Sequence, residues 1–439
     1  MPLFLLALAC LHAPQLVAQD WVHTGTNLGN QRIRLAAADF KPVGSDPQMP
    51  ALKNVFDATL FNDLNNAGLF DMVSKSLAPQ AMPGSPQEMT PAQWTAPPAN
   101  AAMVALGALA VDNGRLAVYG WLIDVTSANS PPVLTRQYNE AASEDMARTI
   151  AHRFADDIIS RLGGGIDGIC ETKIYFVSSR TGSKEIWVMD YDGANQHPVT
   201  HLGTVSISPR ISPDGSRIAF SSLGRDGWAI RMFSLDLNRM VGFPGGSAGG
   251  SNLSPAWSAD GTKLAFSSAR SGHPELWVVD ANGGTPHQIT AFGSDISPAW
   301  NPRTGAQLAF VSGRTGEPQI YLMNQDGSNV QRMTDSGYAI SPTWSSTGML
   351  AFSWNRKYGP GDPGGQDIYV MDPVSKQWLQ ATHEAGNNDF PSWSPDGRHV
   401  AFQRQINHRT QIWTMLGDGT HQQQLTFKGD NTMPNWSWK

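Results

Sequence analysis

A proline followed two residues later by Trp recurs through the second half of the chain, and this spacing constrains the fold more than any other feature. The segments are SPRISPDG (208–215), SPAWSADG (254–261), SPAWNPRTG (297–305), SPTWSSTG (341–348), FPSWSPDG (390–397) and MPNWSW (433–438), the first with Ile in place of Trp. The prolines at 209, 255, 298, 342, 391 and 434 are 46, 43, 44, 49 and 43 residues apart. Each of the first five is followed by an Ala-Phe pair, ending at Phe220, Phe266, Phe310, Phe352 and Phe402. A second strand-like segment comes next, as in ELWVVD (275–280), QIYLMN (319–324), DIYVMD (367–372) and QIWTML (411–416). A short tract then ends at Thr290, Thr334 or Thr426. Asp-Gly steps such as Asp214-Gly215, Asp326-Gly327 and Asp396-Gly397 supply the positive φ of tight hairpins. Four short β-segments in a period of 40–50 residues are the pattern of a β-propeller blade. A β-sandwich would not give six matches at so even a spacing.

The ends of this region fix the blade count. Residues 173–200 carry the later strands of a blade with no Pro-x-Trp strand before them, and 431–439 carry that strand with nothing after it. Joined, they make a sixth, composite blade. Such a seam leaves the ring without a free sheet edge.

Residues 21–165 have a different pattern. A strand is expected at 32–37, an amphipathic helix at 52–66 with Phe56, Leu60 and Leu64 on one face, and two strands in 103–126 turning at Asp112-Asn113-Gly114. The helix at 144–162 repeats Met146, Ile150, Phe154 and Ile158, carries Glu144 and Asp145 in its first turn, and ends at Gly163–Gly165. The proline-rich stretch 79–98 is expected to be a surface loop. The fold class is therefore α+β in two domains: a small N-terminal α/β domain, then a six-bladed β-propeller closed by the N- and C-terminal strands of its own region. Expected boundaries are a signal peptide at 1–19, the α/β domain at 20–165, a linker at 166–172 and the propeller at 173–439.

The apolar run LFLLALA (3–9) suits a signal-peptide core and is too short to span a bilayer. It lacks a preceding Lys or Arg, and Cys10 after Ala9 lacks the leucine a lipoprotein signal would place three residues earlier. No other segment has the length and apolarity of a transmembrane span. With the signal removed, Cys170 is the only cysteine and no internal disulfide can form. Residues 173–439 hold 21 basic and 21 acidic side chains, which excludes a strongly basic nucleic-acid binder. Partners must then be recognised by shape and local polarity.

Several chemical motifs have simpler structural readings. Gly245-Gly246-Ser247-Ala248-Gly249 matches G-x-S-x-G, but no βα alternation follows to build a hydrolase sheet around it. Asp190-Tyr191-Asp192-Gly193 lacks the later ligands of a calcium loop and reads as a hairpin turn. Pro198 forbids the helix that would align His197 with His201 as metal ligands. No catalytic residue, metal or cofactor is expected.

The domain order, with KIYFVSSRTGSKEIWVMDYDG (173–193) and the recurring SPxWSxDGxxLAF, resembles the TolB family of the Tol-Pal cell-envelope system. The likeness covers essentially the whole mature chain. It implies a periplasmic, non-enzymatic, monomeric adaptor between inner-membrane Tol proteins and the peptidoglycan-associated lipoprotein Pal, serving outer-membrane integrity and constriction at division. It departs from the family at the missing positive n-region and at insertions in 225–250 and 358–365, the first of which is expected to replace its blade's usual second hairpin with a longer loop. Alternative readings are a propeller sensor for sugar or peptidoglycan and a propeller-pocket hydrolase or lyase.

The innermost strand of a propeller blade lines the channel, so the residues before each proline should border its mouth. This places Ser251, Asn252, Ser254, Asp295, Ile296, Asn388, Asp389, Asp430 and Asn431 on a polar, adaptable rim suited to a Pal-like lipoprotein. Arg180, Arg270 and Arg314 follow the second strands of their blades and should open on the same end, either as partner contacts or as repeated structural pairs. By the resemblance, Ser251, Ser254 and Ile296 match the family's contact loops. The segment beginning Asp20, Trp21, Val22, His23 would signal to a TolA-like inner-membrane protein.

Overall fold

The computed structural model describes residues 32–438 apart from 128, 247–249, 292, 357–364 and 384–385. The export segment, Asp20, Trp21, Val22 and His23, Ser247 and most of the 358–365 insertion lie outside the described residues.

The Pro-x-Trp segments form the first strands of six four-stranded sheets. These inner strands are Ser206–Ile211, Asn252–Trp257, Asp295–Trp300, Tyr338–Trp344, Asn387–Trp393 and Asn431–Trp436. Each touches the inner strand of the next blade, and the sixth touches the first, so the ring is closed. The seam is the composite blade: Asn431–Trp436 pairs antiparallel with Lys173–Ser178. Between blades, Phe176, Phe220, Phe266, Phe310, Phe352 and Phe402 are all 0% exposed, each stabilising its layer by about 1.5–3 kcal/mol.

The prolines have a geometric reason. Every inner strand slips register at its proline, for example between Leu253 and Ala256 and between Thr432 and Asn435. A proline has no ladder donor to lose at such a bulge. The preceding residue (Ser208, Ser254, Ser297, Ser341, Phe390 or Met433) adopts φ of +51° to +55°. This turns its N–H sideways: Ser254 donates to Ser221 Oγ at 3.1 Å and Met433 to Gln403 Oε1 at 3.0 Å, both on the preceding blade.

The first blade corrects one expectation. Residues 225–250 were expected to replace its second hairpin with a loop, yet Arg217–Gly224 and Gly227–Ser234 pair over their full eight residues, and Arg239–Val241 adds the fourth strand. The glycine-rich stretch only follows that strand.

The α/β domain contains β1 (Ile33–Ala37), β2 (Lys41–Val43), α1 (Met49–Asn66), β3 (Phe70–Met72), α2 (Pro91–Thr95), β4 (Met103–Asp112), β5 (Arg115–Asp124), β6 (Pro132–Ala141) and α3 (Glu144–Leu162). The sheet order is β3-β1-β4-β5-β6, with β2 pairing β4. Ser143 caps α3 by accepting from the Met146 N–H. β6 was not expected, since its burial pattern lacks an alternating apolar face. The stretch 79–98 is more than a surface loop: it holds α2, whose Trp94 is 0% exposed and packs under the sheet.

The α/β domain sits at the end of the propeller where first strands turn into second strands. Asn66 O is 3.0 Å from His399 Nε2, and one core runs through both parts, from Leu60 and Phe154 to Phe176 and Trp436. Among the described residues no helix is long and apolar enough to cross a membrane.

Candidate functional site

The other end of the ring carries the mouth. Ladder slip leaves Ile207, Leu253, Ile296, Ile340, Asp389 and Thr432 partly exposed at equivalent positions on the six inner strands, so the upper wall is apolar over four blades. Burial pushes the Asp389 carboxyl above its ordinary value, although Ser353 Oγ donates to it at 2.6 Å and the Phe390 N–H at 2.6 Å. Ser254 and Ile296 belong to this wall. Ser251 and Asp430 are exposed on the loops above it.

The rim itself is pinned rather than adaptable. Asn252, Asp295, Asn388 and Asn431 are 0% exposed. Arg180 Nη2 donates to Asn431 Oδ1 at 3.0 Å, Arg270 Nη2 to Asn252 Oδ1 at 3.1 Å, and Arg314 Nη2 to Asp295 Oδ2 at 2.9 Å. Each guanidinium also covers an aromatic ring of the third strand: Trp187 at 4.8 Å, Trp277 at 4.7 Å and Tyr321 at 5.1 Å. Two further members escaped sequence reading. Arg404 donates to Asn388 Oδ1 at 2.7 Å and covers Trp413 at 4.6 Å, and Arg356 covers Trp378 at 4.7 Å while reaching Asp335. A shared offset from the preceding Phe was the available signal for Arg356, which lies four residues past Phe352 as Arg270 lies four past Phe266; Arg404, two past Phe402, breaks that spacing.

The threonines closing each blade explain the loops below this rim. Thr426 Oγ1 accepts from Ile412 N–H at 2.8 Å and donates to Gln411 Oε1 at 2.7 Å, and Gln411 Nε2 reaches Gly429 O at 2.7 Å. The same latch recurs at Thr290 with Glu275 and at Thr334 with Gln319. It ties each outer strand to the loop that feeds the next inner strand. Around the pinned rim stand large apolar groups that the sequence reading passed over: Phe427 at 71% exposure, Ile406 at 45% and Tyr338 at 42%.

A second cluster lies at the opposite end, inside the domain junction. Donor atoms of Asp63, His152 and Cys170 fall within 4.8 Å of one another, all buried. Two of the three are already engaged, since His152 Nδ1 is 2.7 Å from Asp63 Oδ2 and Tyr191 OH donates to Asp63 Oδ1 at 2.5 Å. Burial pushes the Cys170 thiol well above its ordinary value, which disfavours the thiolate a metal needs. His197 and His201 are exposed, and His197 Nδ1 is 2.8 Å from Asn195 O.

A six-bladed ring sealed by its own last strand, fixed at one end to an α/β domain and open at the other, defines a two-part propeller scaffold. A family model for the TolB beta propeller domain matches residues 161–359, and one for the TolB amino-terminal domain matches 26–130. The chain belongs to the TolB family. It is 33% identical over 204 residues to a protein TolB homolog of Chlorobium chlorochromatii, covering 46% of this chain and 44% of that one. It is 31% identical over 207 residues to the Tol-Pal system protein TolB of Actinobacillus succinogenes, covering 47% and 46%. The chain thus spans about half the length of the curated relatives it matches. The crystal structure of TolB from Acinetobacter baumannii superposes with a TM-score of 0.74 at 23% identity, over 93% of this chain and 97% of that one, and shares the fold.

Proposed function

We propose that this protein is a non-enzymatic periplasmic adaptor of the Tol-Pal type, which receives a Pal-like lipoprotein at the channel mouth. The observation that carries this reading is the mouth itself: a rigid rim with an apolar wall and exposed Phe427, Ile406 and Tyr338, on the end the α/β domain leaves free. Such a surface suits a folded partner's loop or helix. Ser251, Ser254, Ile296, Asp389 and Asp430 would touch the partner, while Asn252, Asp295, Asn388 and Asn431 and the arginines hold the rim in shape. The segment from Asp20 would engage a TolA-like inner-membrane protein. Ser251→Arg and Ile296→Lys should abolish capture of an envelope lipoprotein while the melting temperature holds. Substitutions in the Asp214-Gly215 turn should leave capture intact. Loss of the partner in the turn variants instead, or recovery of no lipoprotein by the native protein, would overturn the reading.

A further inference from the structure

Deeper in the channel, one level below the prolines, the inner strands present an uneven collar. Ser212 N–H bonds Arg217 O, Ser258 N–H bonds Lys263 O and Asn301 N–H bonds Gln307 O, with matching bonds in the other blades. Antiparallel ladders alternate, so the residue before each of these turns its N–H away from the second strand, toward the ring centre. These inward donors belong to Ile211, Trp257, Trp300, Trp344, Trp393 and Trp436.

Two are satisfied by the residue after proline on the preceding blade. Asn435 Oδ1 accepts from Ile211 N–H at 2.8 Å, and Ser392 Oγ accepts from Trp436 N–H at 2.9 Å. The same position on the next three blades holds Arg210, Ala256 and Ala299, none of which has an acceptor to offer. On this side of the collar the N–H groups of Trp257, Trp300 and Trp344 therefore lack the side-chain acceptor that serves Ile211 and Trp436. Arg210 adds a full positive charge there. Its hydrogen bond runs from Nη1 to its neighbour Pro209 O at 2.9 Å, and no carboxylate pairs with it among the described residues. Burial draws its pKa down to about 10, the mark of a cation held without a counter-charge.

We propose that this side of the channel binds an anion, a carboxylate or a small tetrahedral oxyanion, with the Arg210 guanidinium supplying the charge and the inward N–H groups of Trp257, Trp300 and Trp344 the hydrogen bonds. Oriented backbone N–H groups beside a forked guanidinium are well matched to such oxygens. The site does not depend on the lipoprotein reading, because a free ion would fill it with no partner present.

Calorimetric titration of the full chain with sulfate, and separately with acetate, against chloride at matched ionic strength tests this. At least one of the two should bind saturably, and Arg210→Gln should weaken that binding roughly 10- to 100-fold. Arg210→Lys should fall between them. A selenate-soaked crystal should place the anomalous peak within hydrogen-bond distance of the guanidinium, a readout that needs no variant to fold. Sulfate preference assigns a tetrahedral ion and acetate preference a carboxylate. The proposal falls if neither anion exceeds chloride, if Arg210→Gln binds as the native protein does, or if the peak lies elsewhere.

Discussion

Arg270 shows how a single side chain serves the mouth. It covers Trp277, bonds Ser268 Oγ at 3.0 Å and satisfies Asn252, which has no exposure of its own. Arg270→Met keeps some packing but leaves the Asn252 carbonyl buried without that donor, a penalty of about 1–3 kcal/mol. Arg270→Lys should rescue little, because an ammonium can neither stack as a plane nor bond two acceptors in a fork. Chemical denaturation of the three proteins checks this; equal midpoints for Arg270→Lys and the native chain would refute the forked role. The position of Arg270 was legible from its spacing in the repeat, but its task was not. Its acceptor lies 18 residues away and that of Arg180 lies 251 away, so composition at the rim looked like a loop free to adapt.

Elements explain why the ring holds. The composite blade has no loop joining its first two strands, so Asn431–Trp436 is held by its ladder, by Trp436 and by neighbouring blades. Trp436 is 3% exposed and its Nε1 donates to Thr172 Oγ1 at 2.8 Å, across the whole propeller region in sequence. Trp436→Ala should cost about 3–5 kcal/mol. Deleting residues 430–439 should do more, exposing the inner edge of Lys173–Ser178 and promoting self-association by strand pairing. A truncated protein that melts as the native one does and stays monodisperse in sedimentation would refute closure by this strand. The repeat made this seam readable because its period is carried by turn and core residues alone. β6 was unreadable for the opposite reason. It is a sheet edge whose outward carbonyls are met by charged side chains, Arg161 on Val133 O and Arg136 on Thr135 O, and past Leu134 its sequence is mostly polar, with no alternating apolar face.

The whole molecule is made one body by the junction, which no local pattern announces. Asp63 of α1 meets Tyr191, 128 residues later, and Arg148 of α3 meets Asp192 at 2.7 Å. On the propeller side, burial would raise the Asp396 carboxyl, but His399, Ser394 and Arg398 draw it down to about 2. An acid lowered from 3.8 stabilises the fold above that value and loses its contribution as pH falls toward 2. The stability difference between the native protein and Asp396→Asn should therefore shrink between pH 4 and pH 2, and a difference that stays constant there would contradict the pairing. His152 works at the other end of the pH range. Burial lowers its imidazolium pKa, while the hydrogen bond and charge of Asp63, with the charge of Asp192, outweigh both burial and the opposing Arg148. The net value lies above the ordinary 6.5, so protonated His152 contributes its stabilisation in full below 6.5 and loses it as pH climbs through the folded value, while burial raises the Asp63 carboxyl and offsets part of that contribution. Because one apolar core runs through both domains, that loss should lower a single cooperative transition rather than split it in two. Calorimetry across this range should show a falling midpoint in the native protein and a flatter profile in His152→Gln; parallel profiles would remove His152 from the junction's pH response.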